Sequence, residues 1–118
     1  MFEIIDGAPR KIRVVVSGDA GKSQAKRGGM YYLAPDEING KRYWYSKSGY
    51  HAIWWCNEGF WLLGTYEALQ SSTGAIKGPD NQDAWPTRIN DWMYYQLYFQ
   101  TATREDIRFI DSSRSKGK

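Results

Sequence analysis

Apolar residues recur along the chain in short runs, each bounded by glycine, proline or asparagine, which is the punctuation of β-strands. Residues 12–16 (IRVVV) are β-branched and predict a strand. Residues 17–29 (SGDAGKSQAKRGG) turn polar and glycine-rich and predict a mobile loop. A second strand is expected over 30–33 (MYYL), ended by Pro35. Asn39-Gly40 is the clearest local signal, because both residues tolerate the positive φ angles of a type I′ turn. It makes 38–41 a tight hairpin leading into a strand over 42–45 (RYWY). Ser48-Gly49 then precedes a strand over 50–56, and Asn57-Glu58-Gly59 forms a turn into another over 60–66.

The pattern weakens over 67–91, where only 75–76 is strand-like; connections this long are usually functional or partly disordered. Residues 92–99 (WMYYQLYF) read as one long strand by aromatic enrichment, with Asn90 as the cap of a competing helix. A helical turn suits 103–106, a last strand 107–110, and a disordered tail the residues from Ser112. About seven short strands without a long helix predict an all-β antiparallel barrel or sandwich with an aromatic core. One domain over 1–111 with a tail at 112–118 is the expected organisation.

Composition sharpens this. A domain of this length buries roughly two-thirds of the surface its unfolded chain exposes. The 6 Trp, 9 Tyr and 4 Phe must therefore serve mainly as core, and only a few rings can be spared for a ligand. Cys56 and His51 are the sole cysteine and histidine, which excludes an internal disulfide framework, a multi-thiolate metal site and a histidine cluster. No cofactor or metal is expected. No apolar run approaches the roughly 20 residues of a membrane helix. Glu3 and Asp6 stand where a signal peptide would be basic, so the expected location is cytoplasmic, away from membranes.

The net charge of +3 is unevenly spread. Residues 1–42 and 101–118 are net basic, while 43–100, which hold most of the rings, are slightly acidic. Arg10, Lys11, Arg13, Lys22, Lys26 and Arg27 form a candidate basic patch in sequence. Single-strand binders usually interleave such cations with aromatics on one surface, and this chain separates them.

Residues 14–23 (VVVSGDAGKS) resemble the phosphate-binding loop of nucleotide hydrolases. That loop needs Gly, four residues, then Gly-Lys-Ser/Thr, so that backbone N–H groups wrap the phosphates. Here Gly18 lies only three positions before Gly21, and Val16 occupies the required glycine position. The resemblance fails on spacing, and a solvated loop after an edge strand is the reading retained. His51 and Cys56 have opposite parity on one strand, which sets them on opposite sides of a sheet and argues against a nucleophile–base pair. A half-buried His and a buried Cys are expected instead.

One constellation remains. Over 92–99 the odd positions (Met93, Tyr95, Leu97, Phe99) are the more apolar set, and the even ones (Trp92, Tyr94, Gln96, Tyr98) are amphipathic. Period-2 geometry makes the odd set core and the even set a wet aromatic face, unless a closed sandwich covers both. Trp44 extends that face if its strand is adjacent. Trp85, in the long loop, either plugs one end of the β-structure or awaits a partner, and plugging is favoured. These residues suggest a non-catalytic binding module. A protein or peptide is its first expected partner, a glycan its second, and single-stranded nucleic acid its third.

Overall fold

The computed structural model describes residues 7–69, 73–96, 98–103 and 105–113. The strands are β1 (Lys11–Val16), β2 (Gly29–Ile38), β3 (Lys41–Ser46), β4 (His51–Trp55), β5 (Trp61–Thr65), β6 (Ile76–Lys77), β7 (Met93–Gln96), β8 (Tyr98–Thr101) and β9 (Ile107–Asp111). They form one antiparallel sheet in the order β8-β7-β6-β5-β4-β3-β2-β1-β9. The fold class is therefore the all-β one the sequence predicts, drawn as a curled half-barrel.

Connectivity explains the curl. Eight interstrand steps would set the edges β8 and β9 roughly 38 Å apart in a flat sheet. The chain joins β8 to β9 through residues 102–106, whose fully extended reach is at most about 20 Å. The sheet must bend until its edges lie within that reach. Trp92, just ahead of β7, then stacks on Phe109 of β9 with ring centroids 4.0 Å apart and planes at 15°.

A short helix helps to fill the seam, where the sequence suggested a mobile loop. α1 (Gly18–Gln24) leaves the end of β1 and packs on β7, and Gln24 Nε2 donates to the Tyr95 carbonyl (2.7 Å). Its entry depends on Gly18, whose φ is +57°; a Cβ there would run into the Asp106 carboxylate. β1 thus lies between β2 and β9 and is no edge strand.

Three further expectations shift. β2 does not stop at Pro35 but continues to Ile38, because its register with β3 is interrupted between Leu33 and Glu37, and that irregularity tolerates a residue without an N–H. Residues 92–99 are two strands, not one, reversing between the Gln96–Tyr98 pair. Ser112 and Ser113, placed in the tail by sequence, are tied to β1: Ser112 N donates to the Lys11 carbonyl and Arg10 N to Ser113 Oγ. The rest of the expected tail, 114–118, lies outside the described residues. The Asn39-Gly40 turn forms with both φ angles positive, at 55° and 81°.

The concave side holds the main core. Ile12, Val14, Tyr31, Trp44, Ile53, Trp61, Leu63, Ile76, Trp92, Tyr94, Ile107 and Phe109 are among its buried members. A smaller cluster lies on the convex side of β2–β5, where Tyr43, Trp54, Cys56, Phe60 and Leu62 are covered by Ala68 and Leu69 of the long connection. That connection approaches the sheet closely: a Cβ on Gly64 would lie 3.0 Å from the Gly74 Cα. No helix is long and apolar enough to cross a membrane among the described residues.

Candidate functional site

The aromatic residues singled out by sequence do not assemble into one surface. Trp92 is 0% exposed and its Nε1 donates to the Ile89 carbonyl (2.9 Å); Tyr94 is buried beside it. Trp44 is also 0% exposed, with Nε1 donating to the Pro9 carbonyl (2.7 Å) and its ring tilted against Trp61 at 5.7 Å. The face assignment on 92–99 is thus inverted at its start: Trp92 and Tyr94 point inward, while Tyr95 is 47% exposed. The physical reason is volume. A curled sheet encloses a wide interior that large rings fill well, and an indole N–H can be satisfied there on a carbonyl. Tyr98, 67% exposed on the edge strand β8, is the exposed residue of the set.

Trp85 is half-buried and meets Trp44 edge-on at 6.0 Å. It covers the end of the half-barrel formed by the β2–β3 turn, where Ala84, its neighbour, accepts from Trp61 Nε1 (2.8 Å). A polar cleft of about 580 Å³ beside it includes Lys41 and Asp83, 3.8 Å apart and already paired with each other.

The basic residues separate as well. Arg10 and Lys11 stand at the start of β1 and Arg13 points outward from its middle. Lys22 pairs with Asp19 on α1 at 3.2 Å, both side chains exposed. Lys26 and Arg27 lie in the 3-10 turn Ala25–Arg27 after α1, at the far end of the strand from Lys11. These basic residues are thus spread from one end of β1 to beyond the other.

At that far end the topology creates a site that no short motif carries. His51 opens β4 and pairs with Thr65 at the end of β5, and the Tyr66 amide donates to the Tyr50 carbonyl (2.7 Å). Ile53 and Trp55 pack toward the main core, so His51 shares their concave side, while Cys56 lies in the convex cluster. The expected separation of His51 from Cys56 holds. Arg27 reaches His51 from the 3-10 turn, with Nη1 2.9 Å from Nδ1. A guanidinium only donates, so Nδ1 accepts and the imidazole proton sits on Nε2.

Arg27 is half-buried, its Nε donates to Gln24 Oε1 (3.3 Å), and its carbonyl accepts from the Tyr31 hydroxyl (2.6 Å). Among the described residues no carboxylate pairs with it. Burial pulls its basicity below the ordinary value, opposed by the nearby Tyr31. Burial also holds the His51 imidazolium below its ordinary pKa, reinforced by Arg27 and then Lys26. The pair is therefore one fixed cation on a neutral imidazole.

Around it runs a cleft of about 540 Å³ lined by Lys26, Arg27, Tyr50, His51, Tyr66 and Glu67. Tyr50 is 74% exposed and Tyr66 is exposed on the same cleft, while the nearby Tyr43 hydroxyl donates to Asp36 Oδ1 (2.8 Å). Arg27 and Thr65 also border a second depression of about 240 Å³, lined by Gln24, Gly64, Ala68, Gly74, Ala75 and Tyr95 among others. The two depressions share Arg27 and Thr65 as a common border, and part of the long connection flanks them. Arg27 was legible only as one cation among six, and His51 only as a half-buried histidine; their contact depends on where α1 docks. Compared with protein-family models, with curated proteins and with solved structures, the chain finds no match.

Proposed function

We propose that this chain is a non-catalytic binding module that engages a protein or peptide partner in the groove between Tyr50 and Tyr95. The observation that carries the reading is Arg27: a half-buried guanidinium held by two neutral side chains, on the border shared by two depressions. A cation positioned by neutral groups keeps its charge available to a ligand. Exposed tyrosines beside it supply rigid area with one hydrogen-bonding handle each, and Tyr and Arg are enriched where binding energy concentrates. A non-catalytic role is supported by His51, whose Nδ1 is committed to Arg27. The one thiol is buried elsewhere.

Selection from a displayed random-peptide library tests the proposal. Selected peptides should shift the backbone amide resonances of Lys26, Tyr50, Thr65 and Tyr95, and Tyr50→Ala should weaken them about tenfold with the fold intact. Peptides that bind while leaving those amides unmoved would refute the site.

A further inference from the structure

The groove's lining goes further than an unspecified peptide. Resting on the reading above, we propose that it selects a peptide by a carboxylate side chain seated on the Arg27 guanidinium, and that His51 makes this binding proton-linked.

The geometry of Arg27 carries the first half. Of its five N–H groups, one meets Gln24 Oε1 and one meets His51 Nδ1. Among the described residues the other Nη protons meet no acceptor, and two parallel N–H groups of a guanidinium match a carboxylate in the bidentate mode. Charge selects among anions. Lys26 and Arg27 are cationic, Glu67 on the rim is anionic and His51 is neutral. The lining carries one net positive charge, which a single carboxylate balances. A nucleic-acid backbone brings a row of phosphates and would set several of them against Glu67. The second depression, walled by Gly64, Ala68, Gly74 and Ala75, gives a neighbouring side chain of the same peptide a place beside the Arg27 contact.

The position of His51 carries the second half. Its Nδ1 accepts from Arg27 only while neutral; once protonated it becomes a donor and opposes a cation at the same short distance. The groups around it are Lys26 and Arg27 from the 3-10 turn, Tyr50 from the β3–β4 turn, and Tyr66 and Glu67 beyond β5. Tyr31 stands one contact behind, on the Arg27 carbonyl. A carboxylate seated on Arg27 beside the imidazole favours the imidazolium, so the bound imidazole holds its proton to higher pH than the free one. Binding then takes up a proton, and affinity rises as pH falls through the bound-state value until the free-state value is passed.

Two labelled pools of short random peptides, identical except for a fixed central Glu or Gln, test this by fluorescence anisotropy, with amide shifts reporting the location. The Glu pool should bind about tenfold or more tightly than the Gln pool, and Arg27→Gln should erase the difference. Affinity for the Glu pool should rise about threefold or more from about pH 7.5 to about pH 6 in the native protein. His51→Asn, which keeps an acceptor for Arg27 and cannot titrate, should remove that rise. If Arg27→Gln fails to fold, Arg27→Lys keeps the charge without the fork and should still lose most of the Glu preference. Equal affinity of the two pools, with shifts at Lys26, Tyr50 and Thr65, overturns the carboxylate inference and leaves the peptide groove standing. No shifts there with either pool overturns both. A Glu preference independent of pH overturns the proton linkage, and tighter binding of oligouridylate at the same amides overturns the peptide partner.

Discussion

Replacing Trp92 by alanine tests the inversion of the aromatic face most directly. The side chain is 0% exposed, and a buried tryptophan hides roughly 200 Å². At ~25 cal/mol per Å² the lost transfer term is about 5 kcal/mol, reduced by whatever collapse the neighbours allow. The stack on Phe109 contributes about 1 kcal/mol more, and the Ile89 carbonyl loses its indole donor. The expected loss is about 4–5 kcal/mol, against a total stability on the order of 5–15 kcal/mol for a domain. At about 4 °C per kcal/mol for a chain of this length, the midpoint of thermal unfolding should fall by roughly 15–20 °C. Urea denaturation followed by tryptophan fluorescence and by near-UV circular dichroism measures it, with Tyr98→Ala as the companion. Tyr98 is largely exposed, so its loss should stay within about 0.5 kcal/mol. Should Trp92→Ala not fold, Trp92→Phe keeps a ring on Phe109, loses the donor, and should cost about 2 kcal/mol. A Trp92→Ala loss below about 1.5 kcal/mol, or a larger loss at Tyr98 than at Trp92, would refute the packing argument.

Folding lowers the pKa of His51 from 6.5, so the unfolded chain binds more protons between the two values. Stability from this group is full above about pH 6.5, declines as pH falls through that value and levels below the folded pKa; urea midpoints between about pH 8 and about pH 5 should fall accordingly and flatten over that step in His51→Asn. Gly18→Ala should destabilise by more than about 1–2 kcal/mol, because a positive φ and the Asp106 carboxylate oppose it together, whereas Gly40→Ala, with positive φ but open space, should lose only about 1 kcal/mol. Chemical denaturation of the two variants ranks them, and equal losses would show that the Asp106 contact matters little. Cys56 is 0% exposed, so a thiol reagent should label it only at the rate of unfolding; prompt labelling of the native protein would contradict its place in the convex cluster.

Residue order alone settles the parts of this protein that depend on neighbours in the chain. Alternating and β-branched runs, glycine and proline punctuation and the Asn39-Gly40 pair were sufficient for most strands and for the tight hairpin, since turn chemistry and side-chain period are local properties. Solitary Cys56 and His51 excluded whole classes of site without any structure. Where sequence reasoning failed, the deciding term was nonlocal. Residues 18–24 form a helix despite two glycines because the curl of the sheet brings β7 to α1 as a surface to pack on. Trp92 and Tyr94 turn inward because closure of the sheet sets Phe109 and a wide interior before them; strand parity gives the alternation but not which face is inside. The groove is the furthest case. Arg27 and His51 are separated by 24 residues, and their contact exists only because a five-residue connection between the edge strands curls the sheet and α1 then packs across it. Short-range patterning specifies strands; the reach of one connection and the volume it encloses decide what those strands bring together.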